Sequence, residues 1–197
     1  MICLRDIIQR LRQDKSPNHV VMARIEAVIE AEPLWTYKDE SYTVRLAQTE
    51  DLDIFIDLEE DAYAGFHAWT ARDFESDWKH NPYCVYILVE ETSTGEVVGM
   101  ISGRFLAKGA HISHLLVREA FQQKSLGSRL LGLWIRLVKL EAIPKITLEV
   151  RESNKVAQKL YFNHHFKQVD THKHYYSDNK EAALILRKEI KDDSTYF

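Results

Sequence analysis

The sequence is poor in features that define several large classes of protein. Cysteine occurs twice, at Cys3 and Cys84, in no CxxC pair, which excludes a disulfide framework and predicts reduced thiols. No apolar run approaches the ~20 residues that cross a bilayer, and polar residues interrupt the apolar ones near the N-terminus, unlike a signal peptide. The net charge of −4 lacks the basic excess of nucleic-acid-binding domains. We therefore expect a cytoplasmic protein that binds neither nucleic acid nor membrane.

The 197 residues, 45% of them hydrophobic, suffice for one domain with an extension. Apolar residues recur at helical spacing over 3–13 and again over 20–31, and Pro17 and Pro33 follow these two segments. This pattern predicts a helical N-terminal extension over residues 1–41. A main domain over 42–190 and a short tail over 191–197 complete the predicted organisation.

Strand and helix patterns alternate along the main domain. The order is β-α-(α)-β-β-β-α-β-α-β-β, in which antiparallel strands lead into a β-α-β crossover of right-handed sense. An α/β (α+β) fold is therefore expected, with a mixed, mostly antiparallel sheet and helices on both faces. The predicted strands cover residues 42–46, 83–90, 97–105, 111–117, 146–150, 167–176 and 182–187, and the main helices cover 52–62, 125–142 and 154–164.

One strand-to-helix connection has the form of an anion site. The strand that ends near Val117 runs into a loop over 118–124, and a helix begins near Ser125. The start of a helix presents unpaired N–H groups and the positive end of its dipole, where phosphate binds readily. Any β-α connection supplies some free N–H groups, so this feature alone is compatible with many proteins.

The next β-α unit adds three polar side chains. Glu149 alternates with Leu148 and Val150 and points away from the core that they form. Asn154 lies at a helix start, and Tyr161 lies two turns later on the same helix face. Read alone, Glu149 is as compatible with a solvated strand position as with catalysis.

Together these residues resemble the GNAT superfamily of acetyltransferases, and among them the RimI-type ribosomal-protein alanine N-acetyltransferases. The resemblance runs from about Tyr42 to Lys188 and has no gap between Leu115 and Tyr161. It implies a GNAT-like sheet, acetyl-CoA as co-substrate, and an acceptor amine on a protein N-terminus or a small molecule. The segments that carry it are Leu115–Val117, Gln122–Ser128, Leu148–Arg151, Ser153–Asn154, Leu160–Tyr161 and Tyr175–Tyr176.

The resemblance also implies roles for individual residues. Glu149 corresponds to the general base, Tyr161 to the general acid, and Asn154 to a cofactor contact. A splayed strand that holds the pantetheine arm and a pyrophosphate loop account for the remaining cofactor contacts, which are Leu115, Leu116, Val117, Gln123, Lys124, Ser125, Leu126, Gly127 and Ser128.

These roles agree with the chemistry of amide formation. An α-ammonium group of pKa about 8 must lose a proton before it attacks, and Glu149 can take that proton directly or through a water. Backbone N–H groups can stabilise the developing oxyanion, and Tyr161 can protonate the leaving thiolate. No metal is required.

Three features depart from the RimI-type pattern. Ser125 stands where the loop usually has its first glycine, a residue that permits close approach to phosphate or a positive φ. His165 replaces the glycine that commonly precedes Phe166, and histidine tolerates the left-handed region better than most residues. The N-terminal helical pair has no counterpart in that pattern.

Several residues are candidates for acceptor binding. Tyr176, beside Tyr175, is the preferred contact, and Trp69 belongs with Phe66 and Phe74 to an aromatic segment where the family builds part of its acceptor groove; these three are equally compatible with a core role. His111 and His114 are three apart on a strand, which predicts opposite faces and a poor metal pair.

Three functions remain open from the sequence. The first is acetylation of a protein N-terminus, and the second is acetylation of a small amine such as a polyamine, amino acid or drug. The third is a non-catalytic module that binds acetyl-CoA, for which only Ser125 argues. Monomer and homodimer are both compatible with the sequence.

Overall fold

The computed structural model describes residues 17–62 and 69–190. These residues form five helices and eight strands, with single 3-10 turns at Thr49–Asp51 and Glu119–Phe121. The predicted helix over 3–13, Phe66 and the tail over 191–197 lie outside the described residues. In chain order the elements are α1 Pro17–Ala31, β1 Leu34–Tyr37, β2 Glu40–Leu46, α2 Leu52–Ala62, α3 Ala71–His80, β3 Cys84–Glu91, β4 Val97–Leu106, β5 Gly109–Val117, α4 Leu126–Leu140, β6 Lys145–Arg151, α5 Lys155–Asn163, β7 Lys167–His172 and β8 Ala183–Glu189.

The strands form one eight-stranded sheet in the order β1-β2-β3-β4-β5-β6-β8-β7. Strand β5 pairs with β6 in parallel, and α4 makes the crossover between them. The other neighbouring strands pair antiparallel. This topology confirms the predicted mixed, mostly antiparallel sheet.

Hydrophobic cores cover both faces of the sheet, which confirms the predicted placement of helices. The larger core contains Ile25 and Ile29 of α1 and the apolar stripe of α4, including the fully buried Trp134. The smaller core contains Phe55 of α2 and Phe74 of α3. The face packed against α1, α4 and α5 is called the helical-core face below, and the face packed against α2 and α3 is called the α2–α3 face.

The N-terminal extension contributes a strand as well as a helix. Helix α1 covers the second predicted helix. Arg24 forms an ion pair with Glu141, which follows α4, and Glu32, which follows α1, forms one with Arg136 of α4. Strand β1, Leu34–Tyr37, pairs with β2 at the edge of the sheet. The sequence analysis does not predict β1, because four residues after a proline-terminated helix show no alternation of their own; their partner strand stabilises them.

A β-bulge changes the direction of β5 at Ser113. In the pairing with β4, Ser102 lies opposite His114 and Gly103 lies opposite Ile112, so Ser113 is left between two rungs. The backbones approach closely here, because a Cβ on Gly103 would lie 1.9 Å from the carbonyl oxygen of His111. Only glycine fits that position, and a bulge of this kind bends its strand and increases the local twist.

The bulge also shifts the alternation of side chains along β5. Before it, Ile112 is buried in the helical core; after it, Leu116 is buried in the core beneath α2 and α3. His111 and His114 therefore both lie on the α2–α3 face, and the expectation that they face opposite sides is wrong. Each histidine contacts a different carboxylate, Glu149 and Glu59 respectively.

The last hairpin is shorter than predicted. Strand β7 ends at His172, so Tyr175 and Tyr176 lie in the connection over 173–182 and not on a strand. His174 and Lys180 have φ values of 55° and 59°, which break the extended conformation that alternation would require. The expectation of a strand through Tyr176 is therefore wrong.

Candidate active site

The candidate site begins where β5 and β6 part. These parallel strands pair only at Ala110–Ile146 and His111–Thr147, whereas β5 continues to Val117 and β6 to Arg151. Strand β6 remains paired with β8, and β5 remains paired with β4, so the sheet opens between β5 and β6, and the bulge of β5 lies two residues beyond their last pair. The predicted cofactor segment Leu115–Val117 lies on this parted stretch, whose backbone groups on the β6 side require other hydrogen-bond partners.

The loop after β5 presents backbone amides at the start of α4. The helical ladder of α4 begins with Arg129 N–H donating to the Ser125 carbonyl at 3.0 Å. The N–H groups of Leu126, Gly127 and Ser128 precede that ladder and point out of the first turn. Together with the dipole of a 15-residue helix, they form a cradle for an anion.

Ser125 takes the backbone conformation that glycine adopts most easily. Its φ is 63° and its ψ is 6°, in the left-handed region, and its hydroxyl makes no capping bond to the helix. This conformation costs a non-glycine residue about 1–2 kcal/mol. Gln123, two residues earlier, also has a positive φ of 61°.

Side chains of the loop are tied to neighbouring elements. Lys124 donates to Glu40 at 2.7 Å and lies 4.8 Å above the ring of Phe121, so its ammonium group is directed toward β2. That hydrogen bond is the main reason that the pKa of Glu40 is lowered. Ser128 bonds His164 at 2.7 Å between their Oγ and Nε2 atoms, which joins the first turn of α4 to the end of α5.

Helix α5 begins with two amide side chains in distinct roles. Asn154 Oδ1 accepts the N–H of Ala157 at 3.0 Å as a helix cap. Gln158 is 6% exposed, and its Nε2 donates to the carbonyls of Arg151 and Glu152 at 2.9 and 2.8 Å. The cap directs the side-chain oxygen of Asn154 toward the first turn of α5. Gln158 fixes the turn between β6 and α5.

Glu149 lies on the α2–α3 face, opposite the buried Leu148 and Val150, as the alternation predicts. Its Oε2 is 3.2 Å from Nε2 of His111. The pKa of Glu149 is lowered, mainly by the hydrogen bond from His111, although partial burial acts in the opposite direction. The Glu149 carboxylate is thus paired with His111 at the point where β5 and β6 separate.

Tyr161 lies on the other face of the sheet. Its side chain is 7% exposed and packs edge-on against Phe166, with ring centroids 5.7 Å apart. It belongs to the helical core together with Leu148. Glu149 and Tyr161 therefore flank the sheet from opposite faces, and the gap between β5 and β6 is the place where the sheet opens between those faces.

The connection over 173–182 holds a tyrosine pair beside the carboxylate. Tyr175 and Tyr176 pack edge-on at 5.2 Å, and Arg151 stacks on the ring of Tyr176 at 3.8 Å. Burial raises the pKa of the Tyr175 phenol, and the negative charge of Glu149 raises it further. Glu149 therefore affects the pKa of the half-exposed Tyr175. The ring of Tyr176, the preferred candidate for acceptor binding, is covered by the Arg151 guanidinium.

Trp69 forms part of the aromatic lining on the α2–α3 face. Its backbone N–H donates to Glu59 at 2.9 Å, and its ring packs edge-on against His114, with ring centroids 4.7 Å apart. His114 is itself bonded to Ser102 at 2.9 Å. Glu59 and His114 are both buried, so this polar network holds Trp69 against β5.

The sequence analysis missed two residues of this site. His111 is paired with Glu149, and Gln158 binds the end of β6 to α5. His111 can be found only once the parallel register of β5 and β6 is known. That register sets His111 beside Thr147, and Glu149 is two residues further along the same face of β6. Gln158 follows Asn154 by one helical turn, which is the available sequence signal.

Two other kinds of feature are absent from the described part of the chain. Across residues 17–62 and 69–190, no group of three or more His, Cys, Asp and Glu side chains is placed to hold a metal ion. Within the same ranges, no helix has the length and apolar character needed to traverse a bilayer.

Comparison with known proteins places these features in a family. Residues 52–166 match the Acetyltransferase (GNAT) family. The chain is 30% identical over 149 residues to the proposed ribosomal protein bS18-alanine N-acetyltransferase of Bacillus subtilis (strain 168), covering 76% of this chain and 96% of the relative. It is 28% identical over 158 residues to an N-alpha-acetyltransferase of Sulfolobus acidocaldarius, covering 74% and 91%.

Solved structures share the fold. The crystal structure of the ribosomal-protein-S18-alanine N-acetyltransferase from Escherichia coli superposes with a TM-score of 0.68 at 23% identity, covering 79% of this chain and 99% of that one. The family match spans more than half of the chain and includes the parted strands, the amide cradle and the Tyr161 helix. The chain belongs to the acetyltransferase (GNAT) family, whose members transfer an acetyl group to an amine, as the sequence predicts.

Proposed function

We propose that this protein transfers the acetyl group of acetyl-CoA to the N-terminal α-amine of a protein, with a ribosomal protein as the expected acceptor and the cytoplasm as the compartment. The observation that carries the proposal is the parting of β5 from β6 directly before the amide cradle of α4. A similar combination of activity and acceptor is named for the relatives from Bacillus subtilis and Escherichia coli.

The residues present fit acetyl-CoA as co-substrate. The free N–H groups of Leu126, Gly127 and Ser128, preceded by Gln123, Lys124 and Ser125, suit a pyrophosphate group. The parted backbone at Leu115, Leu116 and Val117 suits the amides of a pantetheine arm, which can add to it as a short strand does. Asn154 has an amide group left for the cofactor, because its carbonyl oxygen alone is used in the cap.

The chain's own groups then supply acid-base chemistry. Bound acetyl-CoA supplies an activated acetyl group as a thioester. Glu149 draws the acceptor ammonium to the opening and promotes loss of its proton. Tyr161, on the other face of the sheet, donates a proton to the departing sulfur. Backbone N–H groups of β5 hydrogen-bond the carbonyl oxygen as negative charge develops on it.

The acceptor approaches from the α2–α3 face. Glu149, Tyr175 and Trp69 lie on that face, and Tyr175 is 50% exposed. Aromatic rings give a peptide backbone apolar walls, and a phenol can hydrogen-bond its carbonyls. We assign Tyr176 and Trp69 as acceptor contacts, with Tyr175 completing the wall beside Glu149.

The test measures thiol release from acetyl-CoA by the purified full chain. The acceptors are peptides that differ in their first residue, the same peptides with a blocked α-amine, and small amines that include a polyamine and a free amino acid. We expect turnover with free peptides and none with blocked copies, even when the blocked copies contain lysine. Mass spectrometry of the products locates the acetyl group.

Each alternative gives a distinct result. Turnover with the polyamine or amino acid and none with peptides would replace the proposed acceptor by a small amine. Binding of acetyl-CoA in calorimetry without turnover on any acceptor would identify a non-catalytic module. Absence of binding would refute the proposed cradle.

A further inference from the structure

The vertex of the β5–β6 opening holds a chain of hydrogen bonds. His111 Nε2 lies 3.2 Å from Glu149 Oε2, and His111 Nδ1 lies 3.0 Å from Thr147 Oγ1. Thr147 Oγ1 in turn donates to the carbonyl oxygen of Ala110 at 3.4 Å. This chain links β5 to β6 across the last rung at which the two strands pair.

A donated bond from Thr147 to Ala110 assigns one tautomer to His111. A threonine hydroxyl carries one hydrogen, and a carbonyl oxygen can only accept. Because Thr147 donates to Ala110, its oxygen must accept from Nδ1–H of His111. The neutral imidazole then has its lone pair on Nε2, the atom that faces Glu149.

That arrangement leaves a place for one proton between His111 and Glu149. With neutral His111, a lone pair on Nε2 faces a carboxylate oxygen. Once Nε2 is protonated, it donates to Glu149, Nδ1–H donates to Thr147, and Thr147 donates to Ala110. In that state each step of the chain from Glu149 to Ala110 is a hydrogen bond with one donor and one acceptor, which stabilises the imidazolium.

We propose that His111 Nε2 receives the proton of the acceptor ammonium and that Glu149 stabilises the imidazolium that forms. This inference rests on the proposed function and names the proton acceptor of that reaction. In the step, an N–H bond of the ammonium breaks, its electron pair remains on the amine nitrogen, and the proton forms the Nε2–H bond of His111. Ammonium and neutral imidazole become free amine and imidazolium, so charge is conserved.

Chemistry favours the imidazole over the carboxylate as acceptor. Imidazole is the side chain whose ordinary titration range lies nearest neutral pH, whereas a carboxylate ordinarily titrates at about pH 4. A carboxylate of low pKa retains a proton poorly in competition with an amine of pKa about 8. The same carboxylate is well suited to hold a cation.

The surroundings of His111 contain other charged and titratable groups. On β4 its register partner Arg104 is paired with Asp77 of α3. His172 of β7 acts on Glu149 through its charge. The other polar and titratable groups on the elements around the pair are Arg104, Asp77, Thr147, His172, Tyr175 and Arg187.

The test is the pH dependence of kcat/KM for a peptide acceptor between pH 6 and about 9.5. His111→Asn retains a donor for Thr147 but cannot accept a proton. We expect it to lower kcat/KM roughly 100- to 1,000-fold at neutral pH, the range of general base catalysis, and only a few-fold at the highest pH, where the acceptor amine is already neutral. Added imidazole is expected to restore part of the rate.

Two threonine variants test the orientation of the ring. Thr147→Val removes the hydroxyl that accepts from Nδ1, and we expect roughly a 10-fold loss. Thr147→Ser keeps that hydroxyl and is expected to retain the wild-type pH profile. His80→Ala, an exposed histidine at the end of α3, serves as the matched control with unchanged kinetics, and acetyl-CoA affinity and melting temperature verify that each variant is folded.

The possible failures are distinguishable. Wild-type kcat/KM and pH profile in His111→Asn, with activity lost in Glu149→Gln, would overturn the inference and make Glu149 the direct base. Loss of activity in His111→Asn that persists undiminished at high pH would also overturn it, because the role would not be proton acceptance. A wild-type chain that acetylates no amine would overturn the proposed function itself.

Discussion

Ser125 offers a measurement of backbone strain in the loop that begins α4. Its φ of 63° places a Cβ in the left-handed region, which costs an L-residue about 1–2 kcal/mol. Substitution by glycine removes that cost. Glycine also gains conformational entropy in the unfolded chain, which offsets roughly 0.4–1 kcal/mol. The net expectation for Ser125→Gly is a free energy of unfolding higher by about 0.5–1 kcal/mol.

Ser125→Ala is the matched variant, because it keeps the Cβ and removes the hydroxyl. The hydroxyl makes no capping bond, so we expect the stability of Ser125→Ala to lie within about 0.5 kcal/mol of the wild type. Denaturant titration compares the three proteins. In a domain of this size, the gain in Ser125→Gly corresponds to about 2 °C in melting temperature.

Calorimetry with acetyl-CoA extends the comparison to binding. Removal of the Cβ lets the backbone approach a pyrophosphate more closely, so Ser125→Gly is expected to bind acetyl-CoA several-fold more tightly than Ser125→Ala. Equal or lower stability of the glycine variant relative to alanine would refute the argument from strain. Weaker binding by the glycine variant would show that the serine Cβ does not obstruct the cradle.

Four further predictions follow from the same geometry. Glu149→Gln is expected to lower kcat/KM at least 100-fold at neutral pH and less at high pH, as measured by thiol release. Tyr161→Phe is expected to slow turnover about 10- to 100-fold with the acetyl-CoA Kd within two-fold in calorimetry; a comparable loss of affinity would contradict its role as acid. Gly103→Ala would set a Cβ 1.9 Å from a backbone oxygen and is expected to destabilise by roughly 3 kcal/mol, whereas Gly132→Ala, with open space at its Cβ, is the control for thermal unfolding. The pKa of Glu181 is lowered to about 2, first by its hydrogen bond with Ser153. The ionised carboxylate therefore stabilises the fold above the ordinary pKa of glutamate, and this stabilisation is lost as the pH falls toward 2. The difference in unfolding free energy between the wild type and Glu181→Gln is expected to shrink as the pH is lowered through this range in acid titrations.

Periodicity predicts the parts of the fold that local sequence determines. The stripe of α4 and the outward position of Glu149 both follow from spacing, because burial of one side of an element imposes its period on the sequence. The strand-to-helix loop that ends at Ser125 is equally local, since backbone amides without intrahelical partners occur at the start of any helix. These elements are confirmed by the described structure.

Features that depend on distant partners escape the same reasoning. Strand β1 exists because β2 supplies its hydrogen bonds, and the tyrosine pair lies in a loop because Arg151 binds Tyr176, Asp178 and Glu181 there. The pairing of His111 with Glu149 requires the register between two strands that are separated by α4. Spacing along one segment contains no information about such partners.

The bulge at Ser113 connects these observations. Strand β5 contains one extra residue two positions after its last pair with β6, next to the point where the sheet opens. The same residue shifts the alternation, which puts His111 and His114 on one face, the first beside Glu149 and the second beneath Trp69. Without the extra residue, regular alternation would turn His114 and Leu116 toward the opposite core. The proposed proton acceptor and the proposed acceptor contact Trp69 therefore share one face because of a single inserted residue, and Gly103 is the position that permits it.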